Sequence, residues 1–144
     1  MRRRIPVMLA AAFGAGLLAG AVPLDAHHSA AVFFNRDQMV EVRGTITEWS
    51  FVNPHPIMRI AVKDASGGTT EWMAQFTNVL NMRRMGITAE TFKVGIEVTI
   101  KGPRSVAAGT FSVNPEQVIL ADGTEVRAAP GQPSNLPRGI YKPS

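Results

Sequence analysis

The chain has 144 residues, of which 45% are hydrophobic and 18% charged, enough for one domain with a real core and too apolar for global disorder. The formal charge is +4, and Arg2, Arg3 and Arg4 against Asp25 account for +2 of it, so what remains is too small to argue for nucleic acid. Cysteine is absent, which excludes a disulfide framework, a thiolate metal site and a cysteine nucleophile.

The first element in chain order is a charged start, Met1 to Arg4, followed by an apolar stretch from Ile5 to Leu18. Small residues follow at Ala19, Gly20, Ala21 and Ala26. This order predicts a secretory signal peptide over residues 1–26 and a periplasmic mature protein with no stable membrane span. The competing reading is a membrane anchor; stretched to Val22 the run is about 18 residues, marginal for a span, and its alanines and glycines weaken insertion further. Two cuts compete. A cut after Ala21 fits the small-x-small rule, whereas a cut after Ala26 leaves His27 as the first mature residue.

Alternation of period two dominates the mature chain. Val40, Val42, Gly44 and Ile46 interleave with polar residues, as do Met58, Ile60 and Val62, then Trp72, Ala74 and Phe76, then Ile96, Val98 and Ile100. Asp64 to Gly68 reads as a hairpin turn between the second and third runs. Asn78 is placed to cap a helix carrying Val79, Met82 and Met85, with Gly86 as its stop and Thr88 capping a further turn to Phe92. A fifth, weaker run covers Phe111 to Leu120, and Asp122-Gly123 turns into a short return at Thr124 to Val126. Three strands, a helix and two strands predict a mainly β fold. The expected form is a small five-stranded OB-like Greek-key barrel over residues 27–127, with its one helix between strands three and four. Prolines and glycines from Ala128 onward predict a disordered tail over 128–144.

The residues able to carry chemistry are few. His27 and His28 stand where the mature chain is expected to begin, and His55 lies in Asn53-Pro54-His55-Pro56, a loop stiffened by two prolines. After cleavage at Ala26 the α-amine and Nδ1 of His27 can chelate one metal, with His55 and His28 as further ligands; nitrogen donors in this number suit Cu(II). Solvated histidines and a loop-bonded His55 are the plainer alternative. A second set, Trp49, Asn53, Glu71 and Arg84, is expected to bind a small ligand or an envelope protein on the barrel face if no metal is involved. Glu48 and Glu71 can be read as an acid–base pair or as exposed strand residues, and Arg83 and Arg84 as an anion clamp or a solvated helix face. Met82 and Met85 can be read as soft copper ligands or as core. There is no Gly-rich phosphate loop, nucleophile elbow, zinc-protease helix or serine triad, so a binding module is expected and not an enzyme.

Several short motifs recur in a recognisable order. They are His27-His28-Ser29, Gly44-Thr45-Ile46-Thr47, Asn53-Pro54-His55, Glu71-Trp72, Asn81 to Thr88, Gly95 to Thr99 and Asp122-Gly123-Thr124. In these the chain resembles DUF6152, a family of exported bacterial domains, over about residues 27–127. The resemblance implies a periplasmic β-barrel-like domain with no established activity, and a mature chain beginning at the histidine pair. The chain departs from the family pattern at Leu24, at Pro56 after Asn-Pro-His, and at Ile87. Intact mass of the exported protein decides the cut: a chain starting at His27 is expected, and one starting at Val22 would remove the amine chelate.

Overall fold

The computed structural model describes residues 32–129. The expected signal peptide, His27, His28 and nearly all of the expected tail lie outside the described residues. The described chain runs β1 (Phe34–Ser50), β2 (Ile57–Lys63), β3 (Thr69–Gln75), helix α1 (Val79–Arg84), β4 (Glu97–Ser105), β5 (Ser112–Val113), β6 (Gln117–Leu120) and β7 (Glu125–Arg127).

β1 is long enough to serve two neighbours. Its first part pairs antiparallel with β4, from Phe34↔Ser105 to Thr45↔Glu97, and its last part pairs with β2, from Thr45↔Ala61 to Ser50↔Ile57. β2 pairs with β3, β3 pairs in parallel with β5 at Met73↔Ser112 and Ala74↔Val113, and β5 meets β4 at Arg104↔Val113. The strands therefore close in the order β1-β2-β3-β5-β4-β1, a five-stranded OB-type barrel with its short helix between β3 and β4. β6 continues from the first half of β4, and β7 from β6.

The expected fifth run is two strands. β5 and β6 are separated at Asn114-Pro115-Glu116, where proline has no N–H to give a ladder. The neighbouring amides instead straddle Gly102: Asn114 N–H donates to the Pro103 carbonyl and Glu116 N–H to the Lys101 carbonyl, both at 2.9 Å. A side chain at Gly102 would overlap the Asn114 carbonyl itself. The same constraint acts once more at Gly44, where a Cβ would stand 2.6 Å from the Ala61 carbonyl oxygen. β1 also begins at Phe34, six residues before its alternation becomes visible, because Asn35 to Gln38 are polar and a register irregularity falls between Asn35 and Met39.

The core follows from the alternation. Val42, Ile46, Met58, Ile60, Ala74, Val98, Ile100, Val113 and Val118 point inward, and Phe76, Met82, Met85, Ile87 and Phe92 join the same cluster. Trp72, which alternates in phase with the inward Ala74, is only partly buried and packs against that cluster. α1 is capped as its sequence predicts. The Asn78 side chain accepts from the Asn81 N–H at 2.9 Å. Gly86, at φ 81°, closes the helix, with Gly86 N–H donating to Arg83 and Ile87 N–H to Met82. In the β2–β3 turn the Asp64 carboxylate accepts from the Ser66 hydroxyl at 2.6 Å and from the Gly68 N–H at 2.8 Å. These bonds, the Ser66 hydroxyl first, hold its pKa below the usual carboxylate value. The turn's contribution is thus complete above the ordinary Asp pKa and lost as pH falls through the lowered one.

Gly102→Ala is expected to cost about 1–3 kcal/mol, because the obstruction is backbone and cannot swing away. For a domain of this size that is a fall of roughly 4 °C or more in Tm. An unchanged unfolding midpoint in thermal or urea melts would show that the 114–116 crossing yields to a methyl group.

Candidate functional site

The loop between β1 and β2 is built around His55. The Asn53–Pro54 peptide is cis. Pro56 is fully buried, and its carbonyl accepts the Phe76 N–H at 3.0 Å. At the same residue, His55 Nδ1 lies 3.0 Å from the Phe76 carbonyl. A carbonyl only accepts, so Nδ1 carries the proton. In the neutral ring this leaves Nε2 as the lone-pair nitrogen, and the ring orientation is set by the core residue Phe76.

Asn53 anchors the other end of the loop. Its Oδ1 accepts the Val79 N–H, the first of α1, at 3.3 Å. Trp49 sits beneath. A bulge between Ile46 and Glu48 inserts one extra residue against β2, and this shifts Trp49 to the inward side although simple alternation from Ile46 would not place it there. Its Nε1 donates to the Ala89 carbonyl at 3.0 Å. Its ring lies 5.6, 5.4 and 5.1 Å from those of Phe51, Phe76 and Phe92. Trp49 Nε1 thus ties the post-helix turn to the barrel, and Asn53 Oδ1 ties the loop to the start of α1.

The remaining expected residues are placed apart from the loop. Glu71 on β3 pairs with Arg59 of β2 at 2.6 Å, and Arg59 also reaches Glu48 of β1 at 3.1 Å. The two glutamates are therefore bridged across the outer face by one guanidinium. Its pKa is raised, first by the hydrogen bond to Glu71. Arg84 is exposed in the last turn of α1, at the opposite end from the Asn53 contact. Met82 and Met85 are core. Among the described residues, no three His, Asp or Glu side chains are grouped as a metal site requires.

The surroundings of His55 contain residues that the sequence motifs do not single out. A cleft of about 420 Å³ is lined by Phe33, Phe34, His55, Met73, Gln75, Ser105, Thr110 and Ser112. Phe33 and Phe34 come from the start of the described chain, where the Phe33 carbonyl accepts the Val106 N–H at 2.9 Å. Ser112 is 5% exposed, and its hydroxyl has no hydrogen-bond partner among the described residues. The signal for it in the sequence is faint: one serine between Phe111 and Val113, in a run too short to show its phase.

Among the described residues no helix is long and apolar enough to cross a membrane. No curated protein matches the chain. Two of the solved structures similar to it are as follows. One is a mitochondrial single-stranded DNA binding protein, Rim1 of S. cerevisiae, at 19% identity and a TM-score of 0.44, covering 58% of this chain and 93% of that one. The other is a ZRD-deleted mutant of TiaS in complex with agmatine, at 17% identity and a TM-score of 0.41, covering 73% of this chain and 26% of that one. A family model, by contrast, matches residues 14–111, and the chain belongs to that family, DUF6152, a family of unknown function.

Proposed function

We propose that this protein is an exported, periplasmic binding module, cleaved from its signal after Ala26, which holds copper with His27, His28 and His55. The role is binding and not turnover.

The observation that carries this reading is the bond from His55 Nδ1 to the Phe76 carbonyl. Metal-ligating histidines commonly donate their second nitrogen in this way, which fixes the tautomer and aims the other nitrogen at the metal. A second observation supports the His pair. Phe33 lines the same cleft as His55 and follows His28 by five residues. An extended chain of that length reaches at most about 18 Å, a span that would let the pair turn back toward His55 in this reading. His27 would add a free amine and its ring nitrogen as a chelate, and neutral nitrogen donors favour Cu(II) over the other common divalent ions. Such ligands must be deprotonated. Affinity therefore falls as pH is lowered and protons compete for the donors.

A metal-free adaptor built on Trp49, Asn53, Glu71 and Arg84 has less behind it. Trp49 Nε1 and Asn53 Oδ1 are already occupied, and Glu71 is paired with Arg59.

Cu(II) titration of the mature, untagged protein tests the proposal. His55→Ala is expected to weaken binding at least about 10-fold while the circular dichroism spectrum is kept. Wild-type affinity should fall as pH is lowered. Equal affinity in the His55→Ala protein would end the three-histidine site.

A further inference from the structure

The long first strand has one open edge. β1 pairs with β4 without interruption from Met39 to Thr45, so its main-chain groups alternate between two sides over this stretch. Ile46 fixes the phase. Its N–H donates to the Ile96 carbonyl at 2.9 Å and its carbonyl accepts the Gly95 N–H at 2.8 Å, both just ahead of β4. Val40, Val42 and Gly44 therefore face β4, and Met39, Glu41, Arg43 and Thr45 face away from it. β4 agrees: the Lys101 and Pro103 carbonyls accept from Glu116 and Asn114 on the side away from β1, which leaves Ile100 and Gly102 to meet Val42 and Val40. β2 takes up the far side of β1 only from Thr45, opposite Ala61. Among the described residues, no strand and no loop amide pairs with Glu41 or Arg43 on that side. Their N–H and C=O groups are an unpaired edge, a template for another strand.

The side chains along this edge say what fits it. Glu41 and Arg43 stand on the exposed outer face, perpendicular to the sheet, and leave the edge itself clear. They are opposite in sign and two positions apart. An antiparallel copy related by a two-fold axis at Val42 sets each Glu41 directly opposite the other chain's Arg43. Both residues face the edge, so each such pair exchanges both main-chain hydrogen bonds. Opposite charges facing across strands favour a pairing, and like charges oppose it. Within each chain Glu41 already holds Lys101, and Arg43 already holds Glu97. The copy would extend these pairs into a row of alternating sign, Lys101, Glu41, Arg43, Glu97, read from one chain into the next. A surface that complements itself in this way is what a two-fold interface requires. The ladder ends at Thr45, whose groups belong to Ala61, and Met39, 53% exposed, meets that Thr45 in the same register.

We propose that the edge of β1 from Glu41 to Arg43 docks a second copy of this chain, antiparallel about Val42, so that one continuous sheet crosses two barrels. The interface stands whether or not copper binds, since no residue of it takes part in the proposed metal ligation.

Sedimentation equilibrium of the mature, copper-free protein over a concentration series tests this. So short a ladder is expected to give a weak dimer, populated at micromolar and higher concentrations. Glu41→Arg and Arg43→Glu each bring like charges face to face, and each is expected to weaken the dimer at least about 10-fold. Both change exposed ion pairs that add little to folding, so the circular dichroism spectrum should be kept. Mixed in equal amounts, the two variants are expected to form a heterodimer tighter than either alone, because every facing pair is again opposite in sign. Arg127→Glu, on the shorter edge of β7, is expected to leave the dimer unchanged. Amide exchange at Glu41 and Arg43 should slow as concentration rises. Three results would overturn the proposal: a dimer that neither charge reversal weakens, a mixture no tighter than its components, or a monomer throughout. A monomer whose Glu41 and Arg43 amides are protected at every concentration would mean that a segment of the same chain covers the edge.

Discussion

The arrangement depends most on one residue, Phe76, which ends the inward face of β3. Its ring is buried against Trp49 and Phe92. Its amide donates to Pro56, and its carbonyl receives His55 Nδ1. One residue therefore joins the core to the loop that carries the only described histidine. Burial of the ring stabilises the barrel by about 1.5–3 kcal/mol, and the same burial fixes the direction of the carbonyl. The imidazole is held by backbone, not by a mobile side chain, so its position is as rigid as the barrel end. Change at the ring would move the histidine through the shared backbone.

Closure of the barrel places a second demand on the sequence. β1 must serve β4 and β2 in turn, and the chain at 114–116 must cross β4 closely. Both are met by leaving out side chains, at Gly44 and Gly102. The outer face adds little. The pairs Arg43–Glu97, Lys101–Glu41 and Arg59 with its two glutamates are solvent-exposed, and exposed pairs of this kind contribute weakly to stability. With no cysteine in the chain, cohesion rests on apolar packing and on the paired ladders.

Much of this architecture is legible in the residues alone. The inward positions of β1 to β4, the helix between Asn78 and Gly86, and the barrel order follow from period-two alternation and cap chemistry, which are local signals. The features that escape a reading of the residues are non-local. The start of β1 is hidden because Asn35 to Gln38 are polar and lie in an irregularity, and only the pairing of Phe34, Asn35 and Met39 with β4 on either side of it makes the segment strand. Trp49 is ambiguous by alternation because the bulge before it shifts the phase, and a bulge is seen only against its partner strand. The fifth run divides because a closely crossing β4 selects Pro115 as a break. His55 stands out as a rare residue in a stiff loop, whereas Ser112 is a common residue whose importance comes only from its burial without a partner.

The contrast between those two residues and the long charged side chains bears on where function is sought. Arg84 sits on exposed surface, where ordering its side chain against a ligand costs conformational entropy, and Glu71 is already engaged by Arg59. His55 has already lost that freedom through its bond to Phe76, and Ser112 has little freedom to lose. A metal meeting His55 would gain its contact without that ordering cost, an advantage that the exposed end of α1 does not share.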